Sequence, residues 1–546
     1  MRRKKILFCT EASHLPTGYS VYTKEVLSRL HQDPAFEVAE LACYCDQASI
    51  DPNTPWKIYA NQPVKGSAEW DDYKSYPSYQ FGEYTFNQVL LDFLPDFVMD
   101  IRDWWMVEFQ QRSTFRDHFH WALMPTVDAY PQNKQWIETF STADSVFAYS
   151  EFGKRTLTNQ CDSLNFIDIA SPCASDSFSP VANKKAHRES MGIGGDPFII
   201  GTVMRNQRRK LYPDLFKVFR EFLDATKDPQ CFLYCHTYYP DVGWEIPDLL
   251  QEYGLTNRVL FTYRCKKCGD VSPTFFSDSI QACKACNNFS KELVGVNNKI
   301  EEKDLARVYN LFDVYIQYAN SEGFGMPQLE AVQSGLPLLA IDYSAMESVV
   351  KNVGAIPLKP LALTRECETG CHRAIPDNDA TLIKLIELYS KDRESLRKMG
   401  AQMRENCLNH YSWDKTAKIW SDFFHRTPVK DISETWLSPP KIVEPAASVP
   451  EGLTPNDQAN FLFEHVLHMP EAIGNYQWKR LVKDLTYKCS ASSTIPGYYF
   501  NESHIDNNVQ TWARFTVKEA YESLVQMRNL HNRWETIRAQ QLNLRS

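Results

Sequence analysis

Short runs of apolar residues recur along the first 430 positions, and amphipathic stretches fill most of the gaps between them. Residues 5–10 (KILFCT), 97–101 (FVMDI), 120–127 (HWALMPTV) and 145–150 (SVFAYS) form a first series. Residues 198–204 (FIIGTVM), 231–236 (CFLYCH), 258–263 (RVLFTY), 312–319 (FDVYIQYA) and 338–342 (LLAID) form a second. These runs are apolar at nearly every position, the pattern of strands buried on both faces. Residues 20–31 (SVYTKEVLSRLH) and 211–225 (LYPDLFKVFREFLDA) instead bring apolar side chains round every three to four positions, as helices do. Strands alternating with helices predict an α/β fold with parallel sheets covered on both sides, and there are strands enough for two sheets. The polar stretch 175–192 is the expected joint between them.

The pattern changes after residue 427. Residues 438–452 (SPPKIVEPAASVPEG) are Pro-rich and read as an extended linker, placed at 428–460. Helical periodicity returns in 457–469 and 515–541, so 461–546 is expected to be a helical extension. Its segment 528–540 mixes basic and aromatic residues, which suits either nucleic-acid contact or a packed helix with a solvated face.

The chain has 546 residues, a length that at about 100–200 residues per domain implies three or four units. A net charge of −9 argues against a protein coated for nucleic acid, though it leaves room for a local basic groove. No apolar run approaches the roughly 18 residues of a membrane span, and the opening MRRKKILFCT is too short in its apolar part for a signal peptide. Fifteen cysteines without a secretory signal read as thiols and metal ligands, which places the protein in a cytoplasm (the host's, if viral).

The densest chemical signal is 321–337 (SEGFGMPQLEAVQSGLP). Pro327 suits the first turn of a helix and Gly335 the position just past its end, so a short helix is expected over 327–334. Its free N–H groups and dipole make an anion site, and Gly323 and Gly325 let backbone approach a ligand closely. Glu330, in the first turn, suits paired ribose hydroxyls; Glu322, in the loop before, suits a second set. The alternative is a plain strand–loop–helix unit with surface glutamates.

The run EGFGMPQLEA (322–331) resembles the donor-binding signature of retaining GT-B glycosyltransferases, the glycosyl transferases group 1 superfamily, with seven residues between its two glutamates. Residues 201–219 resemble the Arg…Lys segment of the same superfamily, which gives Arg205 and Lys210 the task of neutralising a departing diphosphate. Arg208 and Arg209 are then auxiliary or solvent-facing. Residues 15–30 resemble the glycine loop after the first strand, with Gly18 approaching the sugar or phosphate, and 405–424 resemble a terminal helix that crosses back to the first domain. The resemblance spans about residues 4–427. It implies a GT-B fold: an acceptor domain at 1–183, a donor domain at 184–404, and a crossing helix at 405–427. It also implies sugar transfer from a nucleoside-diphosphate sugar without a catalytic metal, with Glu322, Gly323, Phe324, Gly325 and Glu330 holding the donor.

Many relatives carry a histidine at the acceptor-side strand end, where this chain has Asp128, a candidate to orient the acceptor hydroxyl or serve as general base. Asp100, Arg102 and Asp103 in 100–105 (DIRDWW) either line the acceptor side or form a surface ion pair. The acceptor itself is open: a glycan, a small molecule, a protein or a hydroxymethylated DNA base, the last in keeping with a phage-type enzyme. A non-catalytic module binding a nucleotide sugar or a partner is the competing class.

A second motif interrupts the donor domain at 262–297. Cys265, Cys268, Cys283 and Cys286 form two CxxC pairs with fourteen residues between them, the spacing of a four-thiolate zinc ribbon. Four protein ligands leave no open position, so structural Zn2+ is expected; iron or a pair of redox dithiols is the alternative.

Overall fold

The structure is a computed structural model describing residues 2–113, 115–295, 297–431 and 435–436. Nearly all of the expected linker and the whole helical extension therefore lie outside the described residues.

The chain divides into two compact units. The larger (1–86, 95–111, 120–429) holds both sheets. Its first sheet has seven strands: β1 (Lys4–Glu11), β2 (Phe36–Cys43), β3 (Lys57–Ala60), β4 (Phe97–Asp100), β5 (His120–Leu123), β6 (Ser145–Ala148) and β7 (Phe166–Ile169). They lie in the order β3-β2-β1-β4-β5-β6-β7, every neighbour parallel. Ile6, Leu7, Phe8 and Cys9 are buried together on β1 because helices cover both faces of the sheet.

The second sheet is built on β8 (Phe198–Val203), β9 (Cys231–His236), β10 (Val259–Cys265), β11 (Val271–Phe275), β12 (Gln281–Ala282), β13 (Phe289–Leu293), β14 (Val314–Gln317), β15 (Leu338–Ile341) and β16 (Ile356–Leu358). Its core, β10-β9-β8-β14-β15-β16, is parallel. The insertion changes the edge: β11 and β13 both pair antiparallel with β10, and β12 with β13. The second sheet is therefore mixed, not parallel throughout, since the insertion continues the sheet.

A two-stranded hairpin, β17 (Pro360–Arg365) and β18 (His372–Pro376), follows. The helix Trp413–Arg426 then packs back on the first sheet's helix Gly18–Leu30. Trp420 is fully buried, its ring centroid lies 4.0 Å from that of Phe147 at a tilt of 37°, and it donates its indole N–H to the Tyr22 hydroxyl at 2.7 Å. Tyr22 in turn donates to the Ala170 carbonyl at 3.0 Å, so the buried polar chain is satisfied.

In the smaller unit (87–94, 112–119 and 430 onward), Lys430 Nζ donates to the carbonyls of Asp117 and Phe119 at 2.8 and 3.1 Å, and the Trp436 ring lies against His118 and Phe115. Among the described residues no helix is long and apolar enough to cross a membrane.

Candidate active site and metal centre

The C-terminal ends of β8 and β14 bring together two loops. After β14, the chain passes through Glu322 to a helix at Met326–Gln333, one residue earlier than its proline and glycine predict. Gly325 sits at the N-cap with φ 85°, a left-handed conformation, and a Cβ there would meet Gln328 Nε2 at 2.4 Å. A Cβ on Gly323 would meet Thr126 Cγ2 at 2.4 Å, so this loop lies directly against the end of the first sheet. Gly18 opens the first sheet's helix 18–30 and faces the same loop: its added Cβ would stand 3.8 Å from Met326 Sδ, an ordinary contact. Two helix N-termini thus look towards one another across the cleft. Phe324 is buried, edge-on to Tyr411 at 5.9 Å.

Glu322 is the charged centre. Its carboxylate accepts from Lys210 Nζ, from Arg209 Nη1, and from Gln317 Nε2 at 2.7 Å, while its backbone N–H donates to Ser344 Oγ at 2.9 Å. Burial alone would raise this carboxyl; the two cations outweigh it and hold the group down at about 2. Burial, and then Arg209, push Lys210 down to about 8, against the pull of Glu322. Arg209, expected to be auxiliary or solvent-facing, instead grips Glu322 and the Ser321 carbonyl (3.1 Å).

Arg205 is placed differently. Half exposed, it forms a bidentate pair with Asp241 at 2.9 Å twice and lies over the Tyr238 ring. Glu330 turns to Tyr309, whose hydroxyl donates to it at 2.6 Å. Burial, against that bond, pushes the Glu330 carboxyl up to about 7.

On the acceptor side, Asp128 accepts from Arg373 Nη1 at 2.7 Å. Arg373 also donates to Ser321 Oγ at 2.7 Å and Glu366 at 2.9 Å, so the hairpin ties the end of the first sheet to the residue before Glu322. Asp100 and Arg102 are not at the surface: they form a fully buried pair joined by Gln110 and the Phe81 carbonyl. Asp103 does face the cleft, bonded to the Tyr19 and Thr126 hydroxyls, and burial together with the Asp128 charge pushes it up to about 6. Arg373 was invisible to motif reading. Its only sequence trace is alternation on either side of a Glu-Thr-Gly turn.

In the insertion, the four thiols lie within 4.8 Å of one another, Cys265–Cys286 at 3.7 Å and Cys268–Cys283 at 3.6 Å. A tetrahedral ion with bonds of about 2.3 Å wants sulfurs about 3.8 Å apart. The two pairs build matching knuckles: Gly269 N–H donates to the Cys265 carbonyl at 2.9 Å and Asn287 N–H to that of Cys283 at 2.8 Å, with φ 79° and 57° at the two turn residues. The cluster could hold a metal ion.

Residues 290–406 match the protein family described as Glycosyl transferases group 1. Sucrose-phosphate synthase from Thermosynechococcus elongatus superposes over 78% of this chain and 99% of its own, with a TM-score of 0.57 at 16% identity. Anabaena Alr3699/HepE in complex with UDP and glucose does so over 78% and 100%, at 0.52 and 13%. The chain has a GT-B fold. Among curated proteins, this GT-B chain is 25% identical over 130 residues to the GtfA subunit of a UDP-N-acetylglucosamine–peptide N-acetylglucosaminyltransferase from Streptococcus pneumoniae. The match covers 22% of this chain and 23% of that relative, so the chain aligns with under a quarter of its length.

Proposed function

We propose that the protein transfers a sugar from a nucleoside-diphosphate sugar to an acceptor hydroxyl. The observation that carries this reading is Glu322 held between Lys210 and Arg209 at the open N-terminus of helix 326–333. Without ligand the two cations rest on the glutamate; a donor diphosphate offers them a stronger anion. Lys210, the helix N–H groups and Arg205, swung from Asp241, then stabilise the charge that grows on the leaving group. Glu322 and the Gly323–Gly325 backbone hold the sugar, and Glu330 holds the ribose. The UDP ligands named with two of the structural neighbours make a UDP-sugar the first donor to test.

Asp128 orients the acceptor hydroxyl, steadied by Arg373. The resemblance of the paired-glutamate loop supports retention: the acceptor attacks on the leaving-group face and the departing phosphate takes its proton. The acceptor is a hydroxyl on a glycan, a small molecule or a hydroxymethylated DNA base. In the insertion, Zn2+ held by Cys265, Cys268, Cys283 and Cys286 braces the loop and supplies no chemistry to the transfer.

The test incubates purified protein with UDP-, GDP- and ADP-sugars and follows nucleoside-diphosphate release, alone and with DNA bearing hydroxymethylated bases or with simple glycans. Release from one donor, stimulated by one acceptor class and lost in Glu322→Ala, supports the reading. The anomeric proton coupling of the product separates retention from inversion. Donor binding without release under any acceptor would favour a non-catalytic binding module.

A further inference from the structure

The parallel strands of the second sheet leave their C-terminal ends to the candidate active site. At their other ends, about 20 Å away along a six-residue strand, lies a cavity of about 490 Å3. It opens between the helix Lys184–Ser190, the start of the helix Arg393–His410, and the Gly335–Pro337 turn that ends the 326–333 helix.

Its walls carry Lys184, Lys185, Arg188, Arg393 and Arg397 against two carboxylates, Asp196 and Asp313. This is the reverse of the chain's overall sign. Asp313 is already shared, accepting from Arg188 at 2.8 Å and forming an ion pair with Arg393 at 3.1 Å. Asp196 stands 3.5 Å from Arg188. The Lys184 ammonium donates to the Phe312 carbonyl and, among the described residues, to no carboxylate. Among the described residues Arg397 pairs with the exposed Glu394, and Lys185 is exposed. Burial lowers Lys184 to about 8; the Asp313 charge opposes this, and the charges of Arg188, Arg393 and Arg397 add to it. Like charges crowded beside a low-dielectric wall repel, and a multivalent anion is the group that relieves them.

We propose that this cavity binds a small phosphorylated molecule through its phosphoryl groups, at a site separate from the donor site and independent of the donor reading. The volume falls within the range of small-molecule sites, about 300–1,000 Å3. It has room for a phosphorylated metabolite and not merely a bare ion. Arg188 and Arg393 each turn one guanidinium nitrogen to the same Asp313 Oδ2 and shape the floor. Lys184, Lys185 and Arg397 are the cations left to meet the ligand.

The experiment titrates inorganic pyrophosphate into the full-length protein by calorimetry at low chloride, comparing wild type, the donor-side variant Arg205→Ala/Lys210→Ala, and that variant carrying also the exposed pair Lys185→Glu/Arg397→Glu. The expected result is binding that persists in the donor-side variant, weakened at least about tenfold when the charge-reversed pair is added to it, and by an intermediate factor when Lys185→Ala/Arg397→Ala is added instead. Circular dichroism and the thermal midpoint check that both pairs fold as wild type. Binding in the donor-side variant that survives charge reversal of the cavity pair, or binding that the donor-side substitutions alone abolish, overturns the proposal. So does a wild-type protein that takes up no pyrophosphate at millimolar concentration.

Discussion

Glu322 is held by three side chains, and that arrangement fixes what each would cost to remove. Lys210→Ala leaves a buried carboxylate with Arg209 and Gln317 still in place. The expected loss is about 1–3 kcal/mol in urea denaturation. The same variant is expected to lower the rate of nucleotide release about 100–1,000-fold, as loss of a donor to a developing anion does. Glu330 supplies a pH test. Its carboxyl is raised from 4.5 to about 7, so the folded protein holds a proton that the unfolded chain has lost. That stabilisation is complete below about 4.5 and disappears as pH rises through about 7. Ribose hydroxyls want the ionised form. Affinity for the donor nucleotide should therefore tighten between pH 6 and 8 while stability falls, and Glu330→Gln should flatten both curves, read by calorimetry and by thermal midpoint. The motif displayed Glu322, Glu330 and the glycines because their spacing is local. A basic run does not say which of its members turns inward, so the contact of Arg209 with Glu322 is not legible in it. Arg373 reaches Asp128 from 245 residues away, a pairing that no local pattern records.

At the scale of elements, the loop and its helix stand or fall with Gly325. Gly325→Ala forces a left-handed alanine, at about 1–2 kcal/mol, and drives its Cβ into Gln328. Donor affinity should fall more than stability does, which ligand titration beside denaturation will separate. The crossing helix rests on Trp420: Trp420→Ala is expected to cost about 3–5 kcal/mol, and denaturant unfolding checks it. The continuous apolar runs announced most of the strands because both faces of each sheet are covered. β2 escaped notice because Glu37 and Glu40 break its run. Glu40 is nevertheless fully buried, accepting from Trp56 Nε1 at 3.0 Å and Ser13 N–H at 2.7 Å. β7 escaped because it is a short edge strand, only partly covered. The hairpin 360–376 carries no buried run: β17 is largely exposed, its alternating Leu361 and Leu363 included.

For the molecule as a whole, the α/β alternation and the inserted cysteine motif were legible at once, while the way they join was not. Spacing showed that four thiols belong together but not that their first strand is also a strand of the sheet. Stripping metal with a strong chelator, or Cys268→Ser, should unravel the knuckles and fray β10 beyond Phe261, where its parallel partner β9 ends. Amide hydrogen exchange should then quicken at Thr262–Cys265 and at Phe289–Leu293, with the far strands β15 and β16 unchanged. Unchanged exchange at those sites after metal loss would mean that the knuckles stand without an ion.

The shared strand also decides how this chain can be rebuilt. β10 serves the sheet through Val259–Phe261 and the insertion through Leu260–Cys265, so the two uses overlap on one strand. An engineer seeking a smaller protein cannot lift the cysteine segment out at its ends like a cassette. Any cut falls inside a hydrogen-bonded strand and bares the outer edge of β10, where β11 now pairs, an open seam on which a second chain could add. A shortened version therefore needs a new edge strand in place of the old one, and the segment is better regarded as a hem of the sheet than as an ornament sewn onto it.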